Sequence, residues 1–434
     1  MSRLNDFSSI DAKTIAYAAN EYGTPLYLYD EAHIVKRCRA FMSMPNAFGL
    51  TVRYAIKANS NRTILRLIND MGLHMDASSL NEVIRAELAG IPLERIMLTT
   101  QEVYNSSSEM KKLESFMRKG LKYNVCSLRQ LELISEFASS SGIFPGLRVH
   151  PGIGSGESAT RNTGDDYACF GIHLSDLNEA ISLAQRYGIK FKHIHVHIGS
   201  GGDIDIWRQN IDIELDIIEK YFPDAVSVSF GGGIKEARMP DEVPADLELL
   251  ALYAKERIEE FHERTDRKLH MEIEPGTYIV GNAGYGVTRV IDKKRTSRSN
   301  FIIIDGGMEI NARPLLYGSR HPFYHVSADG SAVKSSEFDG SSSGGYQAVV
   351  AGKCCESGDC QTLAPEGHSV PRAMAEPEIG DFTVIGGVGA YCSTMTPFNY
   401  NSHPQVPEVL LTSNGHLVLI RKRQTLAQIL ENET

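Results

Sequence analysis

Eight short apolar runs alternate with helix-length segments across the first two-thirds of the chain, and that rhythm limits it to very few folds. The runs are residues 53–56, 72–75, 95–98, 122–125, 146–149, 193–198, 226–230 and 269–273. Between them, residues 61–71, 79–89, 109–119, 127–139, 175–187, 207–221 and 245–265 read as helices. A short apolar run that leads into a helix reads as a parallel strand buried on both faces, because the crossover helix covers it. Capping residues stand at several helix starts: Ser79 with Glu82 fits a capping box, and Ser127 and Ser175 are placed to cap theirs. Eight strand–helix units over about 230 residues match the period of a (βα)8 TIM-like barrel. A doubly wound open sheet is the rival, since eight repeats do not prove closure. Chemistry-bearing residues end many different runs, which favours the barrel.

From about residue 287 the pattern changes. The β-rich stretches 300–305, 346–352, 381–385, 408–412 and 416–420 follow one another without intervening helices. That indicates a second, mostly antiparallel β domain. The boundaries read as a barrel over 30–285 and a β-rich domain made of 1–29 and 286–434, with residues 25–30 lending it a strand. Residues 327–345 are polar and rich in Gly and Ser, and read as a mobile loop.

The formal charge is −10, and the 44 Lys and Arg are scattered among 54 Asp and Glu. That distribution argues against nucleic acid or an anionic membrane as the main partner. No apolar stretch approaches the roughly 20 residues of a membrane helix, and Met-Ser-Arg-Leu-Asn-Asp is not the start of a signal peptide. A soluble cytoplasmic protein is expected. Its seven cysteines (Cys38, Cys126, Cys169, Cys354, Cys355, Cys360 and Cys392) are odd in number and are read as reduced thiols. Cys354-Cys355-x4-Cys360 lacks the partner spacing of a zinc site, so no metal is expected there.

The residues able to do chemistry follow the runs. Lys57 continues the first apolar strand, where a low dielectric would lower its pKa and free the amine for covalent work on a carbonyl. The bland alternative is a lysine leaving the strand into solvent. His195 and His197 lie at strand spacing on one face and read as metal ligands, as a core and a functional histidine, or as a ring stacked on a flat cofactor. Stacking by His197, nearer the strand end, is the preferred reading. Gly231-Gly232-Gly233 would present amides to a phosphate, although triple glycine also makes plain turns. Glu274-Pro275-Gly276-Thr277 adds a carboxylate that, if buried, needs a partner; a protonated pyridine nitrogen would serve. Such a ring is the electron sink that loss of CO2 from an amino acid requires. In the second domain Arg313 with Tyr317 would clamp a carboxylate or else make a surface ion pair, and Cys355 would donate a proton or else be buried packing.

As an ordered set these motifs resemble a known family. YAIKAN (54–59), Asp76 with Ser78 and Glu82, HVHIGS (195–200), FGGG (230–233), EPG (274–276), ARPLLY (312–317), CCESGD (354–359) and GAY (389–391) occur in the order of the fold-type III pyridoxal-phosphate decarboxylases. Within them the resemblance is greatest to the diaminopimelate decarboxylases and runs from about residue 20 to 425; alanine racemase shares the barrel but is less similar. The resemblance implies a carboxy-lyase with pyridoxal 5'-phosphate bound covalently to Lys57 and His197 stacked on the ring. Glu274 would face the pyridine nitrogen and Asp76 would lie in the same cofactor site. Ser200, Gly231, Gly232, Gly233, Gly276, Thr277 and Tyr391 would hold the phosphate. Arg313, Tyr317, Glu356 and Tyr391 would position an amino-acid substrate, meso-2,6-diaminopimelate, for conversion to L-lysine. Cys355 would donate the proton into the site of a second subunit, which implies a homodimer with shared sites.

The chain departs from the family where EPGR is usual, because Thr277 replaces an arginine that helps bind the distal carboxylate. Loss of one charge-assisted bond weakens binding about 10- to 150-fold. The same chemistry on another amino acid or diamino acid is therefore the alternative, followed by a non-catalytic protein that binds pyridoxal phosphate. His403-Pro404-Gln405 also stands where the family often has arginine-proline-arginine.

Overall fold

A computed structural model describes residues 10–154, 156, 162–199, 203–337 and 345–434. The chain forms two compact units. One comprises Met1–Lys36, Glu236–Val243 and Thr277–Thr434; the other comprises Arg37–Lys235 and Pro244–Gly276.

Strand β1 (Leu26–Asp30) belongs to the first of these, and the next nine strands to the second. These nine are β2 (Leu50–Ala55), β3 (His74–Ala77), β4 (Ile96–Thr99), β5 (Lys122–Val125), β6 (Gly146–His150), a two-residue β7 (Ile172–His173), β8 (His193–His195), β9 (Ser227–Ser229) and β10 (His270–Ile273). Leaving aside β7, which pairs only with β6, eight strands run parallel in a ring. β5 pairs with β6, and β10 returns to pair with β2. The sheet is therefore a closed barrel, and the open-sheet alternative falls. Every residue of β4 and β6 is buried, as expected of strands covered by helices on one side and a filled interior on the other.

The helices fall where periodicity put them, and short polar side chains set their starts. Asn61, Ser79, Ser106, Ser127, Asp203 and Asp246 each accept a backbone N–H of the first turn. Two caps differ from expectation. The Glu82 carboxylate takes the amide of Ser78 rather than that of Ser79, so the reciprocal half of the box is shifted by one residue. Ser175 does not cap the helix Leu177–Arg186; its hydroxyl engages Asp176 while a 3-10 turn precedes the helix.

Side chains two apart on a strand share a face, so each barrel strand contributes successive layers to the interior. In the lower layer Arg53 and Glu272 form a bidentate pair (Nε–Oε2 2.5 Å, Nη2–Oε1 3.0 Å) with Arg53 fully buried. Glu274, two residues beyond Glu272, occupies the layer above.

The other unit is built on a ten-stranded sheet. It adds β11 (Gly284–Arg295), β12 (Asn300–Ile304), β13 (Phe323–Val326), β14 (Val333–Ser336), β15 (Tyr346–Ala351), β16 (Arg372–Met374), β17 (Phe382–Ile385), β18 (Glu408–Leu411) and β19 (Leu417–Arg421) to β1. Only β1–β18 and β12–β15 are parallel pairs. A register shift between Val290 and Asp292 marks where β11 leaves β17 and continues beside β12. The helix Ala12–Tyr22 packs Ile15, Ala18 and Ala19 against Leu28, Val287, Phe382 and Val384. The stretch expected to be a mobile loop is partly ordered: Val333–Ser336 pairs with β13, and Lys334 reaches the buried Asp381 carboxylate (2.6 Å). Its polar composition hid an edge strand stapled by charge.

Candidate cofactor and active site

The C-terminal ends of the barrel strands bring together one constellation. Glu274 is buried; its Oε2 lies 2.8 Å from His195 Nε2, and its Oε1 accepts the Ser229 hydroxyl at 3.0 Å. Burial raises its pKa, against the opposing Ser229 hydrogen bond and Lys57 charge. Burial holds His195 and His197 well below the ordinary imidazole value, so both rings are neutral. The Gly232 amide donates to His197 Nδ1 at 3.0 Å, which places the proton on Nε2 and fixes the ring plane. His197 is only half-buried, leaving ring surface accessible.

The triple glycine is more than a plain turn. A Cβ on Gly231 would fall 2.4 Å from the Val196 oxygen and 2.9 Å from His197 Nδ1, one on Gly232 2.5 Å from the Glu274 oxygen, and one on Gly233 2.2 Å from the Gly199 oxygen. Backbone lies on backbone here, and only glycine permits it.

Asp76, at the end of β3, is 3% exposed, and its Oδ1 has no hydrogen-bond partner among the described residues. Burial and the nearby Glu274 push it up to about 8, against Lys57 and Arg148. Arg148 on β6 is a charged member of this group that the motif reading missed; it is buried and bears on Asp76, Glu274 and both histidines. A charge inside a strand buried on both faces was the available signal. Lys57 differs from expectation: its side chain is exposed on the 3-10 turn Ile56–Ala58, between buried neighbours, so it does not meet a low dielectric. Its charge acts on Asp76, Glu82 and Glu274. Ser200 lies outside the described residues.

In the sheet unit, Arg313 is 1% exposed, which rules out a surface ion pair; its Nη2 donates to Ser319 Oγ at 3.3 Å and its guanidinium sits 5.7 Å from the Tyr317 ring. Tyr317 is half-buried, with its hydroxyl 3.6 Å from Met395 Sδ. Thr277 is half-buried at the start of the helix Thr277–Val280. Tyr391 adopts φ +56°, a strained conformation for a side-chain-bearing residue. Cys355 and Glu356 are exposed on one turn, with the Cys355 amide held by Asn401 Oδ1 (2.8 Å), so Cys355 is not buried packing. Hydrogen bonds from Gly358 and Ser357 hold Glu356 below its ordinary pKa. Glu309, Cys354 and Asp359 bring ligand-type atoms within 4.8 Å of one another. The Asp359 carboxylate there is taken by the amides of Met308 (2.6 Å) and Cys354 (2.7 Å), and burial pushes the Cys354 thiol far up, which makes the cluster a loop staple.

Residues 31–281 match the family model described as pyridoxal-dependent decarboxylase, pyridoxal binding domain. The chain belongs to the pyridoxal-dependent decarboxylases. It is 32% identical to the diaminopimelate decarboxylase of Streptomyces coelicolor over 98% of this chain and 92% of that protein. It is likewise 32% identical to that of Escherichia coli K12, over 98% and 97%. A crystal structure of a diaminopimelate decarboxylase superimposes with a TM-score of 0.87 and 30% identity, over 99% of both chains.

The barrel mouth of this pyridoxal-dependent decarboxylase fits the cofactor of its family. The buried Glu274 carboxyl suits a protonated ring nitrogen, and His197 has a fixed plane with open surface. The unpartnered buried atoms Asp76 Oδ1 and His195 Nδ1 await polar company that the protein itself does not supply among the described residues. The glycine backbone leaves a cradle that any Cβ would fill.

Proposed function

We propose that this pyridoxal-dependent decarboxylase converts meso-2,6-diaminopimelate to L-lysine and CO2. The relatives that carry that activity in their names match it over nearly their whole length, and the observation that carries the chemistry is Glu274, buried and held by Ser229 and His195.

Lys57 would hold the cofactor through its Nζ, and its exposure leaves that nitrogen accessible to a substrate amine. When bound, pyridoxal 5'-phosphate supplies the electron-poor ring that receives the electron pair of the breaking C–C bond. Glu274 would face the ring nitrogen and favour its protonation. His197, with its Nε2 protonated, would stack on the ring. Asp76 completes the cofactor site. The amides of Gly231, Gly232, Gly233 and Gly276, with Ser200, Thr277 and Tyr391, hold the phosphate. Arg313, Tyr317, Tyr391 and Glu356 orient the substrate, and Cys355 Sγ returns a proton to the carbon that has lost CO2.

We further propose a homodimer in which Cys355 and Glu356 serve the partner's site. Their exposure supports it, as do the exposed apolar Leu315, Leu316 and Phe398. A cytoplasmic location is supported by seven free cysteines, and among the described residues no helix is long and apolar enough to cross a membrane.

The test is CO2 release from purified, cofactor-loaded protein given meso-diaminopimelate, with the product identified by mass. Lysine is the expected product, and Lys57→Ala should abolish both turnover and the absorbance of lysine-bound cofactor. Near-normal turnover by that variant would sink the assignment. Thr277 favours a second reading, the same chemistry on an amino acid without the distal carboxylate; rates on lysine, ornithine and arginine test it.

A further inference from the structure

Thr277 stands where a guanidinium is usual at the end of the EPG turn, and a different guanidinium lies close by. Position 281, one helical turn further on, reports the neighbourhood. A Cβ on Gly281 would lie 3.2 Å from Thr277 Cγ2, 3.5 Å from Glu236 Oε2 and 4.0 Å from Arg238 Nη2. The Thr277 methyl and the tip of Arg238 thus border the space of a single added methyl group.

Arg238 is built into this position. Its amide donates to Glu242 Oε2 (3.0 Å), and the Asn282 side chain donates to the neighbouring Ala237 carbonyl (2.8 Å). Its Nε donates to the Gly387 carbonyl (3.2 Å), and its Cγ and Cδ lie 3.1 and 3.0 Å from where a Gly387 Cβ would be, so that glycine makes room for the stem. The residue is 4% exposed; its Nη2 is buried without a hydrogen-bond partner, and it makes no ion pair among the described residues.

A guanidinium always carries its charge, and burying one without an ion pair is costly. Arg238 is also close to Arg313 in effect. Both guanidiniums depress the buried His321, after burial itself, and both act on the buried Cys392 thiol. With His321 neutral, two cations against the one Glu236 carboxylate bear on this region, an excess of positive charge that suits an incoming anion.

We propose that Arg238 is the second guanidinium of the substrate-carboxylate subsite, reaching from the segment 236–243 to do beside Thr277 what an arginine at position 277 does elsewhere in the family. The inference rests on the diaminopimelate reading and deepens it: the substrate must keep a second carboxylate, the one L-lysine retains.

The experiment uses full-length, cofactor-loaded protein as wild type, Arg238→Met, Arg238→Lys and the double variant Arg238→Met/Thr277→Arg. KM and kcat are measured on meso-diaminopimelate. Calorimetry measures the affinities of L-lysine and of cadaverine, which has no carboxylate, and absorbance titration measures cofactor affinity. In Arg238→Met, KM for diaminopimelate and Kd for L-lysine should rise together, about 10- to 150-fold. Kd for cadaverine, cofactor affinity and kcat should each stay within about threefold, less than half a tenfold step in free energy. The double variant should recover most of the loss, and Arg238→Lys, which keeps the charge and the fold, should lose less than Arg238→Met. Unchanged L-lysine affinity in Arg238→Met and Arg238→Lys overturns the proposal. So does a loss confined to cofactor affinity, which would make the anion the cofactor's phosphate. A wild type that binds L-lysine through Arg238 but releases no CO2 from diaminopimelate would instead overturn the functional reading alone.

Discussion

Two carboxylates two residues apart, Glu272 in β10 and Glu274 just past its end, live in opposite electrostatic worlds. Glu272 lies in the lower layer of the barrel, clamped by the bidentate Arg53 guanidinium; that partner drives its pKa far below the ordinary value despite burial. Glu274 lies at the mouth, where its partners are a hydroxyl and a neutral imidazole, and burial drives its pKa up. The same residue type, two positions apart at one strand end, is a closed ion pair in one layer and an unspent carboxylate in the next. What differs is whether a cation is hydrogen-bonded to it, as Arg53 is to Glu272, and that separates the two layers.

The largest effect should come from the lower layer. Glu272→Gln leaves Arg53 buried beside an amide, and breaking a buried pair this way costs about 3–5 kcal/mol. Denaturant unfolding should show that loss, with cofactor affinity altered only as far as folding is. The pair also carries a pH signature. Glu272 has a folded pKa below its unfolded value, so its stabilisation is complete above about pH 4.3 and is lost as pH falls through the folded pKa. The variant should therefore lose part of the wild type's acid sensitivity. A Glu272→Gln protein as stable as wild type would mean that the layers do not differ in the way described.

At the mouth the balance reverses. Glu274→Gln removes the group proposed to keep the ring nitrogen protonated, and turnover should fall about 10²- to 10³-fold, or about 3–4 kcal/mol of barrier. Stability of the cofactor-free protein should hold or rise, because a buried carboxyl with a raised pKa gives way to a neutral isostere. Thermal melts beside steady-state rates check both halves, and a variant that melts early with near-normal turnover would invert the comparison.

Much of this division was legible in the chain. Eight apolar runs and their caps place the strands, and the chemistry-bearing residues at their ends, Glu274, His197 and the glycines, do meet at one rim. Closure was not legible, because it depends on β2 pairing with β10 across more than half the chain. Nor was the burial of Arg148 and Asp76: apolar patterning says which strands are covered but not how a charge inside one is solvated. Lys57 was misjudged for a related reason. A strand's burial does not extend into the turn after it, and on the 3-10 turn Ile56–Ala58 the Lys57 side chain stands exposed between buried neighbours. Arg238 lay furthest from view, since the segment 236–243 has no period of its own and its role comes from joining the sheet unit.

The smallest effect tests how the mouth layer holds Glu274. Ser229 donates to Glu274 Oε1 at 3.0 Å and is also 3.3 Å from the Gly231 amide, so one hydroxyl ties the carboxylate to the glycine loop. Ser229→Ala deletes a hydrogen bond to a buried carboxyl while His195 stays in place, an expected loss of about 1–1.5 kcal/mol, or roughly tenfold in turnover. The Ser229 bond favours the charged carboxylate, so its removal should raise the Glu274 pKa further. The pH–rate profile should shift in the same variant, which a merely structural hydroxyl would not cause. A fall in stability with an unmoved pH profile would assign Ser229 to the scaffold and shift the boundary between the two layers upward by one residue pair.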